Sequence, residues 1–240
     1  MKLKTAATIA TVIVIVVGAA MISPLFFKPE NVDKRIMLTF SVTNPHGATE
    51  WCQNLTSILN SYDLPATVFV AGKIAEQYPQ IVTCFGEKVD IGNQPYSNKN
   101  LTDYTDYTLK LQEVQNGKAA VDKAGNFNSK AFQATNGATD EDIFSLLGRS
   151  GIYADFSYTD HYNVYQNGQF IKYPALVFDA SNHTPEYIEG TRTLQPIILQ
   201  FNNNIPTDAI QTYLSTLTHG DFEFVNASQL TGLDLTVQEA

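Results

Sequence analysis

The sequence predicts an α/β fold with largely parallel strands, preceded by one membrane-crossing helix. Three observations carry this. Short apolar runs alternate with helically spaced segments along most of the 240 residues. The composition, 44% hydrophobic and 16% charged, belongs to a packed chain rather than a disordered one. Residues 5–27 contain no charged side chain, and their centre reads Val12-Ile13-Val14-Ile15-Val16-Val17.

From the N-terminus, roughly 20 apolar residues suffice to cross a bilayer core. Lys2 and Lys4 precede the apolar stretch and favour a cytoplasmic N-terminus, although Lys28, Lys34 and Arg35 stand on its other side. A cleaved signal peptide is the competing reading, with Gly18-Ala19-Ala20 as its small-residue site. The apolar stretch continues past that site through Met21, Ile22, Leu25, Phe26 and Phe27, which favours a retained anchor. Residues 1–28 are therefore read as a signal anchor, 29–35 as a linker and 36–240 as one folded domain.

Within the domain, 36–40 reads as a buried strand. Residues 50–62 have helical spacing through Trp51, Leu55, Ile58 and Leu59. Residues 67–70 form a second strand, 74–82 a helix and 89–92 a third strand. Residues 103–124 carry a long helix. Phe132 lies in a strand, and 140–147 is a helix with Thr139 and Asp140 as cap candidates. Strands follow at 153–156 and 175–178. Between them, 162–173 alternates around Asn167-Gly168, a hairpin signal. Residues 197–201 form a strand, 210–217 a helix and 222–225 a closing strand.

The net charge of −9 excludes a nucleic-acid partner, because phosphate binding needs a basic patch. It also argues against adhesion to an anionic lipid surface. Cys52 and Cys84 either form one disulfide outside the membrane or sit as separate buried thiols. Asn54, Asn100, Asn182 and Asn226 head glycosylation sequons, several of which a chain rich in Asn, Ser and Thr contains by chance.

Seven stretches, in order across residues 36–230, carry a resemblance. They are Ile36-Met37-Leu38-Thr39-Phe40, Asp63 to Gly72, Ala75 to Val82, Asp90 to Asn98, Phe132 to Thr139, Ile197 to Gln200 and Phe222 to Leu230. Together they resemble the polysaccharide deacetylase (NodB-homology, carbohydrate esterase 4) family. The resemblance implies a distorted, incomplete (β/α) barrel with its site at the C-terminal ends of the strands.

It also implies a chemistry. A divalent metal held by one Asp and two His polarises an acetyl carbonyl on a sugar and activates water. A second Asp acts as base, a late His as acid, and an Arg orients the catalytic carboxylate. In this chain the base position is Ser41 and the metal-Asp position is Val42. The two metal-His positions are Gln94 and Asn98, the Arg is Gln133 and the late His is Gln200. Asp155 matches a later Asp of the family and lacks its Arg partner. The resemblance therefore implies a degenerate member with no catalytic residue, no metal and no other cofactor. His46, Asp160 and His161 lie in loops, and their spacing fits no zinc motif.

The leading expectation is a non-catalytic, membrane-anchored pseudo-deacetylase on the extracytoplasmic face, a subunit or scaffold of a cell-envelope complex. Its partners are the membrane and other envelope or membrane proteins. The alternative is a glycan-binding pseudoenzyme that uses the old cleft, with contacts from Gln94, Asn98, Gln133, Asp155, Tyr158, Tyr162, Tyr165 and Gln200. The competing view of the amides is that they bond one another over a closed pocket. That of the tyrosines is cross-strand packing. An active hydrolase with a rewired site is the third reading, supported by the fold alone.

Overall fold

Strand β1 (Arg35–Val42) sets the architecture, because its two faces look into different environments. Ile36, Leu38, Phe40 and Val42 join one core cluster, whereas Met37 joins another. This is the period-2 alternation of a strand buried on both sides. The computed structural model describes residues 32–238, and the chain from Asp33 onward forms one compact unit. The predicted anchor at residues 1–28 lies outside the described residues. Among the described residues no helix is long and apolar enough to cross a membrane.

Helix α1 (Ala48–Ser61) follows β1 and buries Trp51, Cys52, Leu55, Ile58 and Leu59. Strand β2 (Ala66–Ala71) is buried throughout. The helix expected over 74–82 is two short pieces, α2 (Gly72–Gln77) and α3 (Gln80–Thr83). Pro79 causes the break, since its ring clashes with a continuing helix and it has no N–H to donate. Strand β3 (Val89–Gln94) ends in the site. The long helix α4 (Tyr107–Gly125) starts at Asp106, whose carboxylate accepts from Thr108 N. Strands β4 (Phe127–Ser129) and β5 (Ala131–Phe132) precede α5 (Ile143–Arg149) and β6 (Ala154–Asp155). Asp140 is not the cap of α5. Its carboxylate accepts from Asp142 N in the turn before the helix and bonds Lys110.

The predicted hairpin is β7 (His161–Gln166) and β8 (Gln169–Pro174). Asn167 and Gly168 both have positive φ, as a tight two-residue turn requires. The chain continues through β9 (Leu176–Asp179), α6 (Pro185–Gly190), β10 (Ile197–Asn202) and α7 (Thr207–Leu217). It closes with β11 (Glu223–Val225), α8 (Ala227–Thr231) and β12 (Thr236–Gln238).

The main sheet has the order β8-β7-β6-β5-β3-β2-β1-β10-β9, with β11 against the start of β1. Every pairing in it is parallel except those of the hairpin. The two edge strands, β8 and β9, are consecutive in the chain and separated only by Ala175. The sheet therefore curls until its edges nearly meet, which makes a nearly closed α/β barrel. The helices cover the outside, over the cluster of Leu38, Phe40, Val42, Leu55, Ile74 and Leu214. The inside is filled by Met37, Phe69, Phe156, Tyr162 and Ile198. A disulfide joins Cys52 of α1 to Cys84 after α3, with Cα atoms 6.5 Å apart.

Candidate functional site

The strand ends converge on a cavity of about 660 Å³ at the C-terminal mouth of the barrel. Ser41 reaches it from the end of β1. Its neighbours in register are Phe69 and Asn202; Gly92 is in turn the partner of Phe69, and a Cβ on Gly92 would meet the Phe69 ring at 2.4 Å. The missing side chain lets that ring fill the barrel floor beneath the cavity. Gln94 reaches the cavity from the end of β3. Gly117 of α4 allows this, since a Cβ there would meet the Gln94 carbonyl oxygen at 2.2 Å. Glu113 of the same helix then accepts from Ser97 N at 2.8 Å and Ser97 Oγ at 2.9 Å. These bonds hold the turn that carries Asn98, whose φ is positive. Gln133 follows β5, with its N–H donating to Asn93 O at 3.1 Å.

Three of these side chains form a closed ring. Ser41 Oγ donates to Gln133 Oε1 at 2.6 Å. Gln94 Nε2 donates to Ser41 Oγ at 3.3 Å and to Gln133 Oε1 at 3.2 Å. The ring leaves Gln94 Oε1 buried without a hydrogen-bond partner. Turning both amides over keeps the ring closed and exchanges which glutamine presents the free oxygen. Asn98 Oδ1 accepts from Thr135 Oγ1 at 3.1 Å across the mouth. The amides do bond one another, but the cavity above them stays open.

Ser41, Gln94, Asn98, Gln133, Gln200 and Tyr158 all line the cavity. Val42 does not. It is fully buried in the helix-side cluster, because it stands one residue beyond Ser41 on an alternating strand. Asp155 is also fully buried and does not line the cavity. Its Oδ1 accepts from Ser157 N at 3.1 Å and Ser157 Oγ at 2.5 Å, and Ser157 Oγ in turn accepts from Ala134 N at 2.8 Å. Asp155 thus braces the cavity wall from behind. Burial pushes its carboxyl up to about 7, against the opposing pull of the Ser157 bonds.

Two tyrosines expected as contacts do not line the cavity. Tyr162 is buried and stacks between Phe156 and Tyr173. Tyr165 stacks on Tyr153 and meets Phe170 edge-on. Both rings pack the hairpin, as cross-strand aromatic pairs do. His161 stacks on Tyr158 at 4.1 Å and bonds Asp160, while His46 lines a second, shallower groove. Asn226 is buried and caps a helix. Its Oδ1 accepts from Gln229 N as the cap of α8, and its Nδ2 donates to Lys88 O. Asn54 and Asn182 are exposed.

Sequence reasoning missed several lining residues, notably Thr43, Ser157, Asp179, Asn202 and Asn204. Asp179 was findable as the last residue of an apolar strand, because strand ends carry the site in this architecture. It is paired in register with Gln200, so the two side chains project to the same side.

A metal does not fit this donor set. Of its three expected ligands, one is a valine turned into the core. The others are neutral amides, one of which donates to its neighbours. Zinc binds thiolate, imidazole and carboxylate. Among the described residues no three His, Cys, Asp or Glu side chains gather. Nor do the expected positions supply a base, since the Ser41 hydroxyl donates its hydrogen bond to Gln133 and Asp155 is buried behind the wall. What the arrangement offers is hydrogen bonding to a polar ligand.

The profile of the polysaccharide deacetylase family matches residues 28–154. Among solved structures, a CE4 family pseudoenzyme from Bacillus anthracis is similar, with TM-score 0.62 and 15% identity, over 82% of this chain. The chain spans 65% of that protein, less than two thirds of its length. A family 4 carbohydrate esterase from Streptomyces lividans, solved with acetate, gives TM-score 0.58 and 20% identity over 78% of this chain and 90% of its own. The peptidoglycan deacetylase PdaC from Bacillus subtilis gives TM-score 0.61 and 17% identity over 84% and 92%. At these identities the likenesses show the fold. A comparison with curated proteins finds no significant match.

Proposed function

Because the chain belongs to the polysaccharide deacetylase family, and keeps its barrel without a usable metal or acid–base set, we propose that it is a non-catalytic pseudo-deacetylase. The observation that carries this reading is the Ser41–Gln94–Gln133 ring. Positions expected to hold a base, a metal ligand and an orienting Arg instead satisfy one another. Val42 adds to it by facing the opposite side of β1. Acid–base and electrostatic catalysis each contribute orders of magnitude, about 10² or more apiece, so their joint loss leaves a background rate. The similar Bacillus anthracis pseudoenzyme supports the reading by showing that such a barrel persists without activity, and a mutant of it is described as having restored enzymatic activity.

In this reading the apolar N-terminal segment tethers the domain to the membrane on its extracytoplasmic face. The domain then serves a cell-envelope complex as a subunit or scaffold. The disulfide supports that placement, because such bonds persist in oxidising compartments. A second reading, a glycan-binding role for the old cleft, is favoured by the open cavity and its polar lining.

The test is elemental analysis of the full purified chain for zinc, nickel, cobalt and iron, alongside acetate release from acetylated chito-oligosaccharides. No metal and no acetate are expected. Stoichiometric metal with turnover would overturn the proposal. Membrane fractionation of the full chain with and without residues 1–28 tests the tether.

A further inference from the structure

The cavity has a charge character that its amides conceal. Among the residues lining it, Asp179 is the only charged one, and there is no Lys, Arg or His. Asp179 is exposed, and its Oδ1 accepts from Ser181 N at 2.8 Å and Ser181 Oγ at 2.7 Å. That turn fixes the carboxylate in place, and among the described residues Oδ2 has no hydrogen-bond partner. Gln200 stands beside it in register, and its side chain makes no hydrogen bond among the described residues. On the floor, Gln94 is only 3% exposed and its Oε1 lacks a donor. That oxygen has almost no accessible surface, so the acceptors a ligand meets are those of Asp179 and Gln200 at the mouth, and they favour a ligand that donates hydrogen bonds. An anionic ligand meets only repulsion, in a chain of net charge −9.

Resting on the glycan-binding reading, we propose that the cleft selects a de-N-acetylated, cationic amino sugar over its N-acetylated counterpart. An ammonium group brings three donors and a positive charge to a mouth that holds one carboxylate and several amide oxygens. An acetamido group brings one donor, no charge and an added acyl group. The preference follows from Asp179, which no part of the pseudo-deacetylase reading uses.

Calorimetry on the full chain, at mildly acidic pH where the amine is protonated, tests this with two probes. One is a glucosamine tetramer and the other the N-acetylglucosamine tetramer of the same linkage. The glucosamine tetramer is expected to bind at least about tenfold tighter, which corresponds to about 1.4 kcal/mol. Asp179→Asn, which retains the oxygen that Ser181 needs, is expected to abolish the difference. Equal affinities, or a preference for the acetylated tetramer, would overturn the inference and leave the glycan reading standing. Binding of neither would remove the glycan reading and the inference together. A preference that survives in the Asn variant would trace to the diffuse acidic surface and also overturn it.

Discussion

The two faces of β1 have opposite characters. Toward the helices, Ile36, Leu38, Phe40 and Val42 form an unbroken aliphatic and aromatic row, reinforced by Phe40 stacked on Phe201 at 5.0 Å. Toward the barrel mouth, the same strand ends in Ser41 within a ring of amides. One face answers to packing, where each side chain must fill its volume and any mismatch costs stability. The other answers to chemistry, and its residues can change while the scaffold stands. A barrel can therefore lose its reaction and keep its fold, because separate atoms carry the two.

The sharpest way to break this comparison is to put the family's acid back on the packing face. Val42→Asp is expected to lose about 3–5 kcal/mol, since it buries an unpaired carboxylate among hydrocarbon. Urea denaturation reads the loss, and the variant should gain no zinc affinity. A stable, zinc-binding variant would show that the end of β1 can turn over.

The second prediction concerns the helical side. Replacing Cys52 and Cys84 together by Ser removes a crosslink between residues 32 apart. A cost of about 2–4 kcal/mol is expected by the same measurement.

The third concerns Asp155, the acid behind the cavity wall. Its folded value of about 7 lies above its ordinary 3.8. Between those limits the folded chain holds a proton that the unfolded chain releases. The contribution is therefore fully present below about pH 3.8, falls as pH rises toward 7 and is flat beyond. Asp155→Asn is expected to lack that slope. Its urea midpoint, relative to the native chain, should rise between pH 4 and pH 7. Parallel curves would mean that Asp155 is ionised throughout.

The smallest effect belongs to the chemical face. Ser41→Ala removes one hydrogen-bonded corner of the ring at a half-buried position beside the cavity. It is expected to cost about 1 kcal/mol. The contrast with Val42→Asp, one residue away, measures how separate the two faces are.

Most strands were legible because their apolar runs stand alone between turn residues. Asn167-Gly168 announced its hairpin, since few other pairs accept two positive φ values. The single helix read over 74–82 failed at Pro79, and the cap read at Asp140 failed because its carboxylate closes a turn on Asp142 N and the helix starts only at Ile143. The polar replacements at Ser41, Gln94, Gln133 and Gln200 could be read along the chain. That Gln94 would keep an unpaired oxygen, or that Asp179 would join Gln200 at the mouth, could not, because both depend on strand register. Asp155 reads as a contact residue in the sequence, and the fold places it behind the cavity wall, bonded to Ser157.

By itself the sequence determined the α/β class, the family and which residue types stand where the family has its metal ligands, because those reside in residue identity and order. Tertiary structure alone decided which face of β1 each side chain takes, whether the emptied site closes, and which charge remains at its mouth. Those outcomes turn on pairings between strands far apart in the chain, where a shift of one residue would exchange cavity for core.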